Sequence, residues 1–418
     1  MERREIGLGC FCSILIVLLA SFSLTEVANA QAPIKLGVIS AWDFAGGQGV
    51  KRGATMAIDD VNAAGGVLGR KIQAFVYDNK GNTDEAKRVT ERLLYNDKVD
   101  AIVGFWRSEL AIACQPLIME AKKIVFLTGA SAPILTKERI KQDYNRYKYT
   151  FCTIGSSDRF AKLFSLPIIV ARDKLGLSKI AFLAEKTAFL VPTVEYVNKE
   201  FKDMIVYFGE FSPTASDFSI ELTKAKAAGA NNLFALSSGP AGTPLVKQWY
   251  DMQLAMLHTG YSVQAQDANF WKTTEGKCEA VITAHVGAGA GLPITKKSRP
   301  WYEKYRTIYG EYPISLMDPV AYDAVWAWVE GVRLAGTTES DAVVRALESK
   351  QFKYVGVSAV LEGFDDIHAP YGGGWKPGEA WGFCLIQWLN GKREVIHPEN
   401  VKTADITIPD RLKKLMGK

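Results

Sequence analysis

The stretch from Val99 to Ser131, VDAIVGFWRSELAIACQPLIMEAKKIVFLTGAS, constrains this chain more than any other, because it reads as strand, loop, helix, strand, loop. Ala101-Ile102-Val103 and Ile124-Val125-Phe126-Leu127 are short apolar runs, the pattern of parallel strands buried on both faces. Leu110, Cys114, Leu117 and Ala121 recur between them at helical spacing, so a helix folds back on the sheet as a right-handed crossover. Both strands run into loops of glycine and hydroxyl residues, Gly104 to Ser108 and Thr128 to Ser131. Ligands of open parallel sheets sit beyond the carboxyl ends of the strands, which makes the crevice between these two loops the candidate site.

The beginning of the chain sets its compartment. Arg3 and Arg4 precede an apolar run from Ile6 to Leu24, and Ala28-Asn29-Ala30 closes the segment as a small-x-small site. Residues 1–30 therefore read as a cleaved secretory signal, with a membrane anchor as the alternative. Removing them takes away two Arg and three Glu, so the formal charge moves from +5 to 5 − 2 + 3 = +6. That excess is spread without a basic block, which gives no reason to expect nucleic acid as a partner. Cys114, Cys152, Cys278 and Cys384 remain, at wide and irregular spacings. Export permits a disulfide among them, and buried free thiols are the other reading.

At 418 residues the chain exceeds what one hydrophobic core usually serves. Ile34 to Ile39, Ile72 to Tyr77 and the opening stretch form an unbroken βαβαβαβ series, with a helix marked by Val50, Ala54, Ala57, Ile58 and Val61 and stopped at Gly65-Gly66. Ser40 to Gly47 reads as a wide loop before that helix. Gly155-Ser156-Ser157-Asp158 is the first passage to a second βα series, with strands at 180–184, 205–208, 233–236, near 256–258 and at 280–284. Gly287 to Pro293 reads as a second connection, followed by a helical block over 301–349. Strand character returns near Val355, and Asn390-Gly391 marks a hairpin. The expected fold is α/β, two Rossmann-like lobes joined by a three-crossover hinge. Lobe one takes 31–154 and 287–354, lobe two takes 155–286 and 355–400, and 401–418 form a tail.

No catalytic constellation emerges. There is neither a Gly-x-Ser-x-Gly elbow nor a Walker loop, and His258, His285, His368 and His397 form no metal-spaced pair. Neither a metal nor a cofactor is expected. Ser108 and Ser131 lie in the strand-end loops, and Ser108 directly precedes a helix whose free amides and dipole favour an anion. They can donate to a small carboxylate, or they can be helix N-caps. Trp42, Phe105, Trp106, Phe189 and Tyr261 fall in or beside strand-end loops and read as an apolar clamp around a ligand.

The export signal, the strand from Ile34 leading to a helix ending Asp59-Asp60-Val61-Asn62-Ala63-Ala64-Gly65-Gly66, then Tyr77-Asp78, Val103-Gly104 and Gly129-Ala130-Ser131, together resemble the leucine/isoleucine/valine-binding type I periplasmic solute-binding proteins. The resemblance covers nearly all of the chain after residue 30. It implies that Ser108 and Ser131 hold a ligand carboxylate beside the carbonyl of Gly129 or Ala130, that Phe189 faces the ligand, and that Glu185 is the acid that follows the first strand of lobe two. Tyr261 and Ser262 stand where amino-acid binders place an acid for the ligand ammonium. That charge partner is then missing unless Asp158, Glu185 or Asp267 supplies it, and burying an unpaired ammonium costs several kcal/mol. The expected ligand is a carboxylate or amide with an apolar or aromatic body. The implied role is a periplasmic, monomeric receptor that hands its solute to an ABC permease. A sensory binding protein and, more weakly, an exported α/β enzyme are the alternatives.

Overall fold

The computed structural model describes residues 32–285, 295–313, 315–358, 360–361 and 383–417. The first lobe is built on a five-stranded parallel sheet in the order β2-β1-β3-β4-β5, where β1 is Ile34–Ser40, β2 Ile72–Asp78, β3 Ala101–Gly104, β4 Ile124–Leu127 and β5 Thr150–Cys152. β3 and β4 are buried at every residue, as their unbroken apolar runs require. The second lobe carries a four-stranded parallel sheet in the order β7-β6-β8-β9, from β6 Ile180–Glu185, β7 Ile205–Phe211, β8 Asn232–Ser237 and β9 Leu257–Ser262. In each lobe the strand order reverses once beside the first strand, which opens a crevice at the carboxyl ends.

Three helices matter for the site. α1, Ala45–Ala63, follows β1; α2, Ser108–Glu120, joins β3 to β4; α3, Ala161–Leu175, leads into lobe two. α1 begins at Ala45, so the loop expected from Ser40 to Gly47 is shorter and Gly46, Gly47, Gly49 and Gly53 lie inside the helix. Glycine is a weak helix former, and tertiary contact explains its use here. A Cβ at Gly47 would stand 1.8 Å from the Ala41 carbonyl oxygen, and one at Gly53 would stand 1.9 Å from that of Asp318. The partner at Gly53 is α4, Met317–Ala335, which returns from the helical block to pack on α1 and behind β3 and β4. The helical block thus belongs with the first sheet.

β10, Ile282–His285, lies beside β9 and pairs antiparallel with β13, Cys384–Leu389, which turns at Asn390-Gly391 into β14, Lys392–His397. Asn390 and Gly391 both take positive φ, 51° and 79°, as a type I′ hairpin turn demands. β11, Tyr354–Val355, pairs with β12, Val360–Leu361, as a separate two-stranded piece. Residues 401–417 are packed down, with Leu412 buried and the Thr407 amide donating to the Gln387 side chain. The first crossing between lobes runs from β5 through a 3-10 turn at Ser157–Phe160 into α3. The expected second connection at 287–293, most of the third crossing and the export segment at 1–30 lie outside the described residues. Cys114, Cys152, Cys278 and Cys384 are buried and free.

Candidate functional site

The strand ends of both sheets enclose one cavity between the lobes, with about 50 Å³ open to the centre of a water molecule. One water needs about 10–15 Å³ by that measure, so the space suits a small solute. Lobe one contributes Trp106, Arg107, Ser108, Glu109 and Gly129; the first crossover contributes Ile154 and Phe160; α3 adds Phe164. Lobe two supplies Thr187, Phe189, Ser238, Tyr261 and Gln266, and the start of α4 closes the ring with Ser315, Leu316 and Met317.

One wall is aromatic. Phe160 and Phe164, one helical turn apart, have centroids 5.5 Å apart with nearly parallel planes, and Phe189 meets Phe164 edge-on at 5.9 Å. Trp106 lines the same cavity from lobe one, held against Phe44 with centroids 5.3 Å apart. Gly129 makes that approach possible, since a Cβ there would meet the Met317 sulfur at 2.8 Å and the Trp106 ring at 2.9 Å.

The polar side is the first turn of α2. Ser108 is its first residue, and the N-cap is Arg107, whose side chain makes no capping bond. The Ser108 hydroxyl accepts from the Ala132 amide at 3.2 Å, which leaves its proton for a group in the cavity. Free amides of the helix start and the guanidinium of Arg107 add positive potential at the same place. Glu109 is the one carboxylate among the described lining residues; it accepts from the Ala188 amide at 2.9 Å and lies 3.6 Å from Arg107.

Of the ten residues expected at the site, Trp106, Ser108, Gly129, Phe189 and Tyr261 line this cavity. Phe105 is corrected: its ring is wholly buried in the apolar core. Phe105 takes a left-handed φ of +57°, and its carbonyl accepts from the amides of Gly129 and Ala130. What Phe105 lends the strand-end loops is its backbone. Ala130 and Ser131 are fully buried behind the lining, and the Ser131 hydroxyl has no hydrogen-bond partner. Trp42 lies outside the lining, with the Lys51 ammonium 3.9 Å from the centre of its ring. Asp158 also lies outside it, paired with Lys137 at 3.0 Å.

Glu185, weighed as an ammonium partner, is already saturated. It accepts from the Ser238 amide at 2.8 Å, the Gly239 amide at 2.7 Å, the Ser238 hydroxyl at 2.7 Å and the Ser237 hydroxyl at 3.3 Å. Its work is to tie the loop after β8 to the end of β6. Asp267 lies outside the lining, caps the Asn269 amide at 2.8 Å, and has its carboxyl pushed up by burial. Sequence reasoning missed Phe160 and Phe164, although two phenylalanines four apart directly after the crossover are a readable signal. It also missed Ser315 to Met317, which only the return of α4 to lobe one brings here.

The sequence pattern of a family described as "Periplasmic binding protein" matches residues 33–369. A Leu/Ile/Val-binding protein homolog of Brucella melitensis is 24% identical over 411 residues, covering 94% of this chain and 99% of that protein. A branched-chain amino acid transporter substrate-binding protein of Streptococcus pneumoniae, solved with isoleucine, superposes with a TM-score of 0.72 at 22% identity, covering 88% of this chain and 100% of that one. A solute-binding protein of an ABC transporter from R. palustris, solved with benzoate, superposes with a TM-score of 0.71 at 16% identity, covering 91% and 99%.

Proposed function

The chain belongs to the periplasmic binding protein family, as a type I member of the branched-chain amino acid group, and from that premise we propose that it is the exported receptor of an ABC importer for a small aromatic carboxylate. Members of this family bind solutes and are not enzymes. No helix among the described residues is long and apolar enough to cross a membrane. In this reading residues 1–30 direct export, the receptor works as a monomer in the periplasm, and the closed form docks on its permease.

The observation that carries the ligand class is the polarity of the cavity. Phe160, Phe164, Phe189 and Tyr261 line it together with Trp106 of lobe one, while Arg107, Ser108 and the helix start supply donors to the same lining. A planar ring fits between such walls by stacking and edge contact. A carboxylate fits the donor end by charge-assisted hydrogen bonds. Among the described residues an α-ammonium has no comparable place, because Glu109 is engaged by Ala188 and Arg107, and Asp158 and Glu185 are spent elsewhere. The R. palustris relative solved with benzoate supports the reading, and the pneumococcal one solved with isoleucine marks the competing class.

A thermal-shift series with benzoate, 4-hydroxybenzoate, benzamide, leucine and phenylalanine tests it. Benzoate at a hundredfold excess over its dissociation constant raises stability by about 2.7 kcal/mol, a clear rise in Tm. Ser108→Ala weakens benzoate by about 1.5–3 kcal/mol and benzamide by less, because the lost bond is to a charged acceptor in one case and a neutral one in the other. Tight leucine binding with no response to the aromatic acids rejects the proposal.

A further inference from the structure

Glu109 belongs to two walls at once. It lines the aromatic cavity, and it also lines a shallower outer pocket with Lys186, Thr187, Ala188 and Val191 that opens toward solvent. Its backbone sits in the first turn of α2 in lobe one, while Ala188 lies in the loop after β6 in lobe two. The Ala188 amide donates to Glu109 Oε1 at 2.9 Å, a hydrogen bond thrown directly across the cleft between residues 79 apart in sequence. The other carboxylate oxygen, Oε2, lies 3.6 Å from Arg107 Nε, which braces the side chain from behind.

We propose that Glu109 is the bolt of the cleft: a lobe-one carboxylate that captures a lobe-two amide and so holds the lobes together at the mouth of the cavity. A bond of this kind exists only while the lobes are closed, so it weights the closed state even before a ligand arrives and slows the ligand's exit afterwards. Because Glu109 and Thr187 line both pockets, the Glu109–Ala188 link stands where the buried space meets the outer one. A guest leaving by that route has to break the link. Glu109 is thus a positioning residue, acting on residence time through lobe closure.

The ligand-free half of this inference stands apart from the proposed ligand class, and only the kinetic half uses benzoate. Small-angle scattering of the ligand-free wild type is expected to fit a mixture containing the closed form, and Glu109→Ala to shift it to a larger radius of gyration. Stopped-flow release of benzoate is expected to be about tenfold faster in Glu109→Ala, with association changed by less than about twofold, the pattern of an interaction lost from the bound state. Ala188→Pro removes the donor and leaves Glu109 in place, so it should give the same two changes, and the double variant should add nothing. Glu109→Gln keeps an acceptor oxygen and should stay near wild type in scattering. Wild-type scattering that fits the open form alone, or Glu109→Ala and Ala188→Pro with unchanged scattering, overturns the bolt. If the scattering shifts and benzoate fails to bind, the bolt stands and the ligand class falls.

Discussion

The rings of Phe164 and Tyr261 stack with their centroids 4.0 Å apart and 19° between their planes, and both side chains line the interlobe cavity. One comes from α3, just past the first crossover, and the other from the end of β9. Each is nearly inaccessible to solvent, so the pair forms a rigid slab at the back of the cleft.

Truncating that slab costs both stability and affinity. Phe164→Ala removes a buried ring that also contacts Phe160 and Phe189, and such substitutions lose about 3–5 kcal/mol. Urea unfolding of the ligand-free protein should register a loss of that size. Isothermal titration should show benzoate weakened well beyond what Tyr261→Phe does, since the latter keeps the stacked ring.

Glu185 yields a graded series. Glu185 is 2% exposed and its carboxylate gathers four donors, one from the last residue of β8 and three from the loop after it, so Glu185→Ala leaves several donors without that acceptor. Each such orphan costs about 1–3 kcal/mol, and a loss on the order of 3 kcal/mol is expected by chemical denaturation. Ser237→Ala removes only the longest of the four bonds, 3.3 Å, and should cost about 1 kcal/mol or less. Because Ser238 lines the cavity, Glu185→Ala should also raise the dissociation constant for benzoate.

The stability of lobe one should depend on pH through Asp318. This carboxyl is fully buried at the start of α4, and burial pushes it up to about 6 from an ordinary 3.8, against the pull of the Tyr305 hydroxyl and the Ser315 amide and hydroxyl that donate to it. Between these two values the folded protein binds the extra proton, so stability is greatest below about pH 4 with respect to this group and declines as pH rises through about 6. The full decline amounts to about 3 kcal/mol. Asp323, whose carboxyl burial also pushes up, adds to the same slope. Denaturation of wild type and Asp318→Asn across pH 4 to 7 tests this: the variant should show a shallower fall, and equal slopes would rule Asp318 out as the source.

Much of this site was legible because its scaffold follows simple periodicities. The apolar runs of β3 and β4 announced buried parallel strands, and the crevice rule pointed to the strand-end loops whose Trp106, Ser108 and Gly129 line the interlobe cavity. What the sequence hid was orientation. Phe105 and Trp106 are adjacent aromatics in one loop, and nothing in their order says that Phe105 is the one buried in the core while Trp106 lines the cavity. Ser131 and Asp158 were hidden for a related reason, because a hydroxyl or carboxylate near a strand end can face the cavity, the hinge or a lysine, and only packing chooses. Ser315 to Met317 were invisible because long-range topology alone brings them to the cleft.

The glycines of α1 make the strongest case of tertiary contact overriding local preference, and they carry the last prediction. In an exposed helix Gly→Ala gains about 1 kcal/mol, so propensity alone says that Gly53→Ala should stabilise. Position 53, however, faces α4, and the added Cβ would fall 1.9 Å from the Asp318 carbonyl oxygen, which belongs to backbone and cannot swing aside as a side chain would. The two helices must separate, loosening the packing around Asp318 and the neighbouring Ser315 and Met317 that line the cavity. Overpacking of this kind costs about 1–3 kcal/mol or more, so the net sign is destabilising. Thermal unfolding of Gly53→Ala should show a lowered Tm, with benzoate affinity reduced through the displaced start of α4. Gly65→Ala is a comparison free of that contact, because nothing lies within 4 Å of its Cβ position; its cost comes from the positive φ of 101° alone. It should lower Tm while leaving benzoate affinity near wild type, and a Gly53→Ala protein as stable as wild type would rule out a tight α1–α4 contact at this position.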